Sequence, residues 1–250
     1  MILASQLRRI VVLLLICFVP FLSHARVIEL EGPGDSPEAR FVQAVLERAY
    51  QRIGYEVVYR HVPLARSFIE ADKGRLDGLR ARIAHVADKY EGLVKVPFVL
   101  FDFKLVILAD TRLCGECHVS ELADLAVARG FEGFTVFRAH TALSANVLEV
   151  THFQQALNLL KEQKVQAAVM SEPLIPDDLA GYGKHWVRRT LAVYPDFHYV
   201  NERFAHLVPA LTQTLNALET EGVLHALRLQ YAIPAPAQSY PQSRTDLIAP

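Results

Sequence analysis

Apolar residues recur along the chain at two spacings, and the alternation between the two predicts a mixed α/β fold. Between residues 27 and 83 the pattern gives a strand, a helix, a strand, a helix and a strand. The first helix is predicted to begin at Pro37, with Ser36 as its cap, and to end at Gly54. Residues 55–59 then alternate as a strand does. This order predicts one compact α/β unit.

A second α/β unit follows along the chain. Its predicted elements are a strand at 134–137, a helix at 142–147, a strand at 148–150, a helix at 153–160 and a buried strand at 165–170. Extended apolar stretches at 94–109 and 191–200 link the units, and a long helix at 205–229, interrupted by Gly222, closes the fold. We therefore expect two α/β lobes with two crossovers between them, rather than a single undivided sheet.

The two ends of the chain differ from its middle. Arg8 and Arg9 precede an apolar run that is shorter than the roughly 20 residues needed to span a bilayer, and small residues follow it. Residues 1–25 are therefore predicted to be a secretory signal peptide, and 232–250, which lack apolar periodicity, a loose tail. The predicted lobes are 26–108 with 198–231 for lobe 1, and 109–197 for lobe 2.

Charge and motifs exclude several classes of function. The chain carries 26 Lys and Arg against 27 Asp and Glu, a balance that argues against a nucleic-acid partner. Catalytic Ser/His/Asp motifs, phosphate-binding loops and H-E-x-x-H zinc motifs are absent from the sequence. We therefore expect no catalytic residues, no metal and no cofactor.

Short motifs along the chain match one family in order and spacing. They are Pro63-Leu64-Ala65-Arg66, Gly74-Arg75-Leu76-Asp77-Gly78, YEGLVKVP at 90–97, SELADL at 120–125, QKVQAAVMS at 163–171 and the closing helix at 201–227. Together they resemble the periplasmic solute-binding proteins of family 3, the polar amino acid uptake group. The resemblance covers nearly all of residues 26–231. It implies the type II periplasmic-binding fold, a two-lobed clamp that closes by a hinge around a ligand in the interlobe cleft.

The resemblance also implies a function. It is that of a monomeric periplasmic protein that captures a small polar ligand, either anionic or amino-acid-like, and presents it to an inner-membrane transporter permease. Two alternatives stay open. One is an enzyme on the same clamp, such as a dehydratase or lyase of a small carboxylate, with Glu172 or His140 as general acid or base. The other is an extracytoplasmic sensor clamp, which would need a separate membrane partner.

Three arginines of lobe 1 are candidate ligand-binding residues. Arg80 and Arg82 are two apart on a predicted strand, so alternation puts them on one face. If that face is the cleft, their guanidinium groups are suited to a bidentate grip on a carboxylate. The alternative is a surface ion pair with Asp77 or Asp88. Arg66, at the start of a helix, is either a ligand contact or a solvated helix residue.

The chain departs from the family pattern at both positions that hold the charged groups of an amino acid. Lys89 stands where amino-acid-binding members have the arginine that grips the α-carboxylate, and Ser171 stands where they have the aspartate that takes the amine. Both departures weaken an α-amino acid as ligand, although Glu172, beside Ser171, is able to pair with a cation. In lobe 2, Arg138 and Thr141 complete the candidate ligand-binding set. Thr141 either binds an anion or caps a helix.

Cys114, Cys117 and His118 spell C-x-x-C-H, the pattern of c-type haem attachment. An exported chain whose mature form keeps only two cysteines usually oxidises them, so a Cys114–Cys117 disulfide is the first expectation. Free or metal-bound thiols and a haem are the alternatives. Met170, the one methionine beyond the signal peptide, lies on a predicted buried strand, which disfavours it as a second axial haem ligand. A thioredoxin-like role is weaker, because Cys114 does not follow a strand at a helix start.

Overall fold

The structure is a computed structural model that describes residues 26–32, 34–86, 89–175 and 185–237. The predicted signal peptide, residues 87–88 and the part of the predicted tail beyond residue 237 lie outside the described residues. Within the described ranges, no helix combines the length and the apolar character that a membrane crossing requires.

Strands and helices alternate along most of the described chain. The strands are β1 (Arg26–Glu31), β2 (Tyr55–Arg60), β3 (Gly78–Ile83), β4 (Leu93–Asp110), β5 (Asp124–Ala128), β6 (Asn146–Val150), β7 (Ala167–Ser171) and β8 (Trp186–Asn201). The helices are α1 (Pro37–Arg52), α2 (Leu64–Asp72), α3 (Thr111–Cys114), α4 (Glu132–His140), α5 (Phe153–Lys161), α6 (Val208–Thr220) and α7 (Val223–Tyr231).

Two long strands connect the halves of the molecule. The sheet order is β2-β1-β3-β8-β4-β7-β5-β6, with parallel pairs at both ends and antiparallel pairs in the middle. β4 and β8 pair with each other from Leu93 opposite Asn201 to Asp110 opposite Trp186. Both strands pass through both lobes and are the two crossovers. Hydrogen bonding is therefore continuous across the molecule, whereas the sequence pattern predicts a divided sheet.

The division into lobes lies in the packing instead. Lobe 1 carries β1–β3, α1, α2, α6 and α7, and lobe 2 carries α3–α5 and β5–β7. Along β4, Val96 and Leu100 belong to the core beneath α1, whereas Leu105 and Ile107 belong to a separate core with α4. β4 therefore passes from the core of lobe 1 into the core of lobe 2 between residues 101 and 105. The predicted lobe bounds at 108 and 197 stay a prediction.

Lobe 1 forms as the pattern predicts. The Ser36 side chain caps α1 by accepting a hydrogen bond from the Ala39 amide at 3.1 Å, and Pro37 occupies the first turn. α1 buries one apolar face, where each fully buried large side chain contributes about 1.5–3 kcal/mol. Tyr50, on that face, meets His198 of β8 through a buried 2.8 Å hydrogen bond. This bond ties α1 to the crossover strand.

Lobe 2 differs from the prediction in its first half. Residues 134–137 belong to α4 and not to a strand, because Phe134 and Phe137 are three apart, share one helix face and are both buried. The predicted helix at 142–147 is a loop that leads into β6. The first strand of the lobe is the buried β5, which was not predicted. The predicted long C-terminal helix is two helices, α6 and α7, separated at Gly222, whose φ is +77°.

Candidate functional site

A cleft opens between the lobes, over the middle of β4 and β8. It has two overlapping parts, which we call the α1 pocket, of about 160 Å³, and the α4 pocket, of about 320 Å³. Both parts are lined by Ser36, Arg80, Ala81, Arg82, Phe103, Ser171 and Asp196. The α1 pocket adds Glu38, Ala39, Val42 and Phe101. The α4 pocket adds Leu64, Phe68, Ile83, Gly130, Phe131, Glu132, Gly133 and Phe153.

The structure places Arg80 and Arg82 in this lining. Their side chains do not reach it by the regular alternation of a β-strand, because β3 is irregular here. The pairing of β3 with β8 shifts register between Leu79 and Arg82. Such irregularities redirect side chains and are frequent beside functional sites. Here Arg80, Ala81 and Arg82 all line the cleft.

Arg82 is held from several sides. Its Nη1 lies 3.0 Å from Oε1 of Glu31, a carboxylate that is only 4% exposed at the end of β1. Its Nη2 donates to the Ser67 hydroxyl at 3.1 Å, and its guanidinium carbon lies 4.9 Å from the centre of the Phe68 ring. Arg82 is therefore largely committed to lobe 1 itself.

Arg80 is committed to fewer partners. Its backbone amide donates to Glu31 at 3.0 Å, but its Nε is 3.8 Å from the same carboxylate, too far for a hydrogen bond. Its Nη1 reaches only the Ala39 carbonyl, at 3.5 Å. Among the described residues nothing accepts from its buried Nε. Burial lowers the pKa of Arg80, and Glu31 opposes that shift.

Two carboxyl groups also line the α1 pocket. Asp196, on β8, is 5% exposed, and burial raises its pKa to about 7 despite the attraction of Arg82. Glu38, in the first turn of α1, also has a raised pKa because of burial. The cleft therefore presents both donors and acceptors of charge-assisted hydrogen bonds.

Aromatic side chains from both lobes form the apolar part of the wall. Phe68 lies on α2 of lobe 1, and Phe103 lies on β4. Phe131 and Phe153 come from lobe 2 and meet edge to face, with ring centres 4.9 Å apart. The cleft thus offers aromatic rings beside its charged groups, and the Arg82 guanidinium lies over the Phe68 ring.

The lobes touch directly at one edge of the cleft. Gly130, which precedes α4, has a φ of +76°, and a Cβ atom on it would lie 2.7 Å from Cβ of Ala65 on α2. Nearby, Lys89 of lobe 1 forms a 2.9 Å ion pair with Glu132 of α4, which raises the pKa of Lys89. Lys89 therefore bridges the lobes at the position where the family resemblance expects a ligand-binding arginine.

The other candidates lie elsewhere. Among the described residues, the lining of neither pocket includes Arg66, Arg138, Thr141 or Glu172. The Arg66 side chain is 70% exposed and pairs with Glu70, and Arg138 is exposed near the end of α4. Whether these four contact a ligand stays a prediction.

Two of these four residues have clear local contacts. Thr141 is the C-cap residue of α4, and not the start of a helix, because α4 occupies the segment before it. Glu172 pairs with Lys104 at 2.8 Å. His140, the alternative acid or base, is exposed, and its Nδ1 lies 2.8 Å from the Val136 carbonyl oxygen.

Cys114 and Cys117 form a disulfide, as expected. The bridge closes a loop between α3 and β5, with Cys117 buried and His118 exposed. Both sulfur atoms that would bond a haem are used in this bridge.

Sequence reasoning missed Glu38, Asp196 and the turn before α4. A signal existed for Asp196, because it is an acidic residue inside the otherwise apolar stretch 191–200, and a buried charged residue is the informative exception in such a stretch. Gly130 and Gly133 were not recognised because the segment 134–137 was predicted as a strand, so no helix N-terminus was expected beside them.

The comparisons with known proteins agree with this architecture. No protein-family model matches the chain, and no curated protein matches its sequence. Solved structures do match. The sensor domain of a histidine kinase with similarity to periplasmic binding proteins is 18% identical, with a TM-score of 0.67 over 84% of this chain and 98% of that one. The chain has the two-lobed fold of the periplasmic binding proteins.

Two further structures share this periplasmic-binding-protein fold. The substrate-binding protein of an ABC uptake transporter from Streptococcus pneumoniae, with bound histidine, is 12% identical, with a TM-score of 0.64 over 82% of this chain and 91% of that one. An ancestral amino-acid-binding protein, a precursor of cyclohexadienyl dehydratase, is 12% identical, with a TM-score of 0.63 over 82% and 94%. The expected fold class is therefore confirmed.

Proposed function

We propose that this protein is an exported solute-binding protein that holds a small polar ligand, anionic or amino-acid-like, between its lobes. The observation that carries the proposal is Arg80, a largely buried guanidinium that lines both pockets and has unused hydrogen-bonding capacity. A guanidinium in such a place is suited to a carboxylate. The fold, shared with an ancestral amino-acid-binding protein and with the substrate-binding protein of a transporter, supports the same function.

The first turn of α4 supports an anionic group on the ligand as well. Gly130 to Gly133 line the α4 pocket at the N-terminus of that helix, and no side chain caps its first turn. Helix N-termini favour negative charge. A carboxylate between Arg80 and α4 would contact both lobes, and closure of the lobes would then depend on it.

A thermal-shift screen tests this function. The purified protein is heated with the twenty L-amino acids and with small mono- and dicarboxylates, one compound at a time. We expect at least one compound to raise Tm and to be recovered unchanged. Its conversion to a product would favour the dehydratase or lyase alternative, and no shift with any compound would refute the proposed ligand class.

Arg80→Ala tests whether the shift arises in the cleft. We expect it to abolish the ligand-induced rise in Tm while lowering the Tm of the ligand-free protein by no more than about a few degrees, since Glu31 keeps Arg82 as its partner. Arg138→Ala is the matched control, because Arg138 is exposed and outside the lining, and it should keep the full shift. An unchanged response of Arg80→Ala would remove Arg80 from the site.

The place of action is the periplasm, reached by cleavage of the predicted signal peptide, and the proposed partner is an inner-membrane permease. Mass spectrometry of the protein secreted in bacteria should find Arg26 as the mature N-terminus. A retained N-terminus would contradict export by cleavage. Cross-linking in cells distinguishes a transporter from a sensor partner, because a captured permease supports uptake and a captured membrane receptor supports sensing.

A further inference from the structure

The lining of the α1 pocket contains carboxylate oxygens that accept no hydrogen bond from the described residues. Asp196 Oδ1 is fully enclosed, and no described group donates a hydrogen bond to it. Asp196 faces Ile83 of β3 and Phe101 of β4 in the sheet, so its two strand neighbours offer apolar side chains. A buried carboxylate oxygen without a donor is unusual in a folded protein. Asp196 as a whole is 5% exposed and lines both pockets, so a ligand in the cleft would lie beside this carboxyl group.

Glu38 repeats this feature from another element. Its Oε2 is buried and accepts no hydrogen bond from the described part of the chain, and Glu38 lines the same α1 pocket as Asp196. The Nε of Arg80, in the same lining, is a donor without an acceptor. Residues that carry unused groups of both signs therefore line the same cavity of about 160 Å³. A ligand of a single charge would pair with one set and leave the other set buried and unpaired.

We propose that the cleft binds a zwitterion with an apolar body, whose ammonium lies against Asp196 and Glu38 and whose carboxylate lies against Arg80. The apolar body packs against Phe68, Phe131 and Phe153. This inference rests on the proposed function and names its ligand class. It also assigns the amine-binding acid to β8.

Because Asp196 lies on β8, the ligand amine does not need an acidic partner from lobe 2. The family resemblance places the partner of the ligand amine at Ser171, a neutral residue that lines both pockets. Glu172, beside it, is paired with Lys104 at 2.8 Å. Glu132, the acid of lobe 2 that does line the α4 pocket, is paired with Lys89. Asp196 is thus the acid in the shared lining that no cation neutralises at ion-pair distance among the described residues.

Three matched probes test the assignment by isothermal titration calorimetry. L-phenylalanine carries both charges on an aromatic body, 3-phenylpropionate lacks the ammonium and 2-phenylethylamine lacks the carboxylate. We expect L-phenylalanine to bind wild-type protein at least tenfold more tightly than either of the others. Asp196→Asn should weaken L-phenylalanine at least tenfold and change 3-phenylpropionate less than twofold. Glu56→Gln, on an exposed residue of β2, should change neither.

The outcomes separate this inference from the proposed function. Equal binding of 3-phenylpropionate and L-phenylalanine, or unchanged affinity of Asp196→Asn for L-phenylalanine, would overturn the amine site while leaving a binding protein. The amine site is likewise overturned if a carboxylate without an ammonium raises Tm in the thermal-shift screen and none of the amino acids or probes binds. If an apolar amino acid other than L-phenylalanine binds, the amine site stands, and the analogues of that amino acid without the ammonium or without the carboxylate replace the probes. If nothing in the screen or among the probes binds, both proposals fail. Glu38→Gln gives a second test, with an expected weakening of L-phenylalanine alone, if Asp196→Asn does not fold.

Discussion

Asp196 is a buried carboxyl group whose Oδ1 accepts no hydrogen bond from the residues that the structure describes. Burial raises its pKa to about 7 from an ordinary 3.8, and the charged groups that face it are Arg82, which lowers the pKa, and Glu31, which raises it. Between these two pH values the folded protein binds more protons at this residue than the unfolded chain does. Asp196 therefore makes the ligand-free fold less stable as pH rises through this window.

The first prediction concerns that pH dependence. We expect the free energy of unfolding of the ligand-free wild type to fall, relative to Asp196→Asn, between pH 5 and pH 8, by on the order of 3 kcal/mol. Chemical denaturation at each pH measures the difference. Glu56→Gln, on the exposed β2 position, should track the wild type. Parallel curves for the wild type and Asp196→Asn would show that Asp196 titrates as an ordinary carboxyl.

At the scale of elements, the disulfide fixes the connection into β5. The second prediction is that Cys114→Ser with Cys117→Ser lowers the free energy of unfolding by no more than about 2 kcal/mol, because the closed loop is short. Urea denaturation measures this change. Reduction of the wild type should add about 2 Da to its mass, and the oxidised protein should lack a haem band near ~400 nm. An intact mass that does not change on reduction would contradict the bridge.

The hydrophobic pattern predicts an element correctly where that element buries one continuous apolar face. α1 has a cap, a proline in its first turn and an apolar stripe, and all three signals agree. β5 was missed because its alanines have little strand preference of their own, and its pairing with β6 and β7 decides its conformation. α4 was predicted as a strand because Phe134 to Phe137 are rich in aromatic and branched residues, whereas burial of Phe134 and Phe137 on one face favours the helix.

The site was predictable only in part, for a related reason. Arg80 and Arg82 lie on one strand, so their joint position could be read from local sequence. The remaining lining comes from segments as distant in sequence as Ser36 and Asp196, which meet only when the chain folds. No local pattern carries that information. A buried acid in an apolar strand was the one available hint.

At the scale of the whole molecule, contact between the lobes depends on the absence of a side chain at Gly130. The third prediction compares Gly130→Ala with Gly54→Ala. Both glycines have positive φ, +76° and +80°, so each substitution should cost about 1 kcal/mol of stability. A Cβ at Gly54 would meet nothing within 4 Å, but one at Gly130 would meet Ala65 of the opposite lobe at 2.7 Å.

We therefore expect Gly130→Ala, and not Gly54→Ala, to hold the lobes farther apart. Small-angle X-ray scattering of the ligand-free proteins should give a larger radius of gyration for Gly130→Ala alone. Chemical denaturation checks that the two variants lose similar stability. Equal radii for the two variants would mean that the Gly130–Ala65 contact does not limit closure.

The two crossovers are neighbours that pair with each other along most of their length, so a hinge between the lobes would be a ribbon of two hydrogen-bonded strands rather than two separate tethers. Such a ribbon resists shear but accepts twist, and its ladder is already irregular at Val99 to Phe101 and again at Leu105 to Val106. Phe103 and Asp196 lie on this same ribbon and also form the floor of the cleft. A ligand bound there would contact the two strands that connect the lobes. Ligand binding and movement of the lobes would then be coupled directly through these strands.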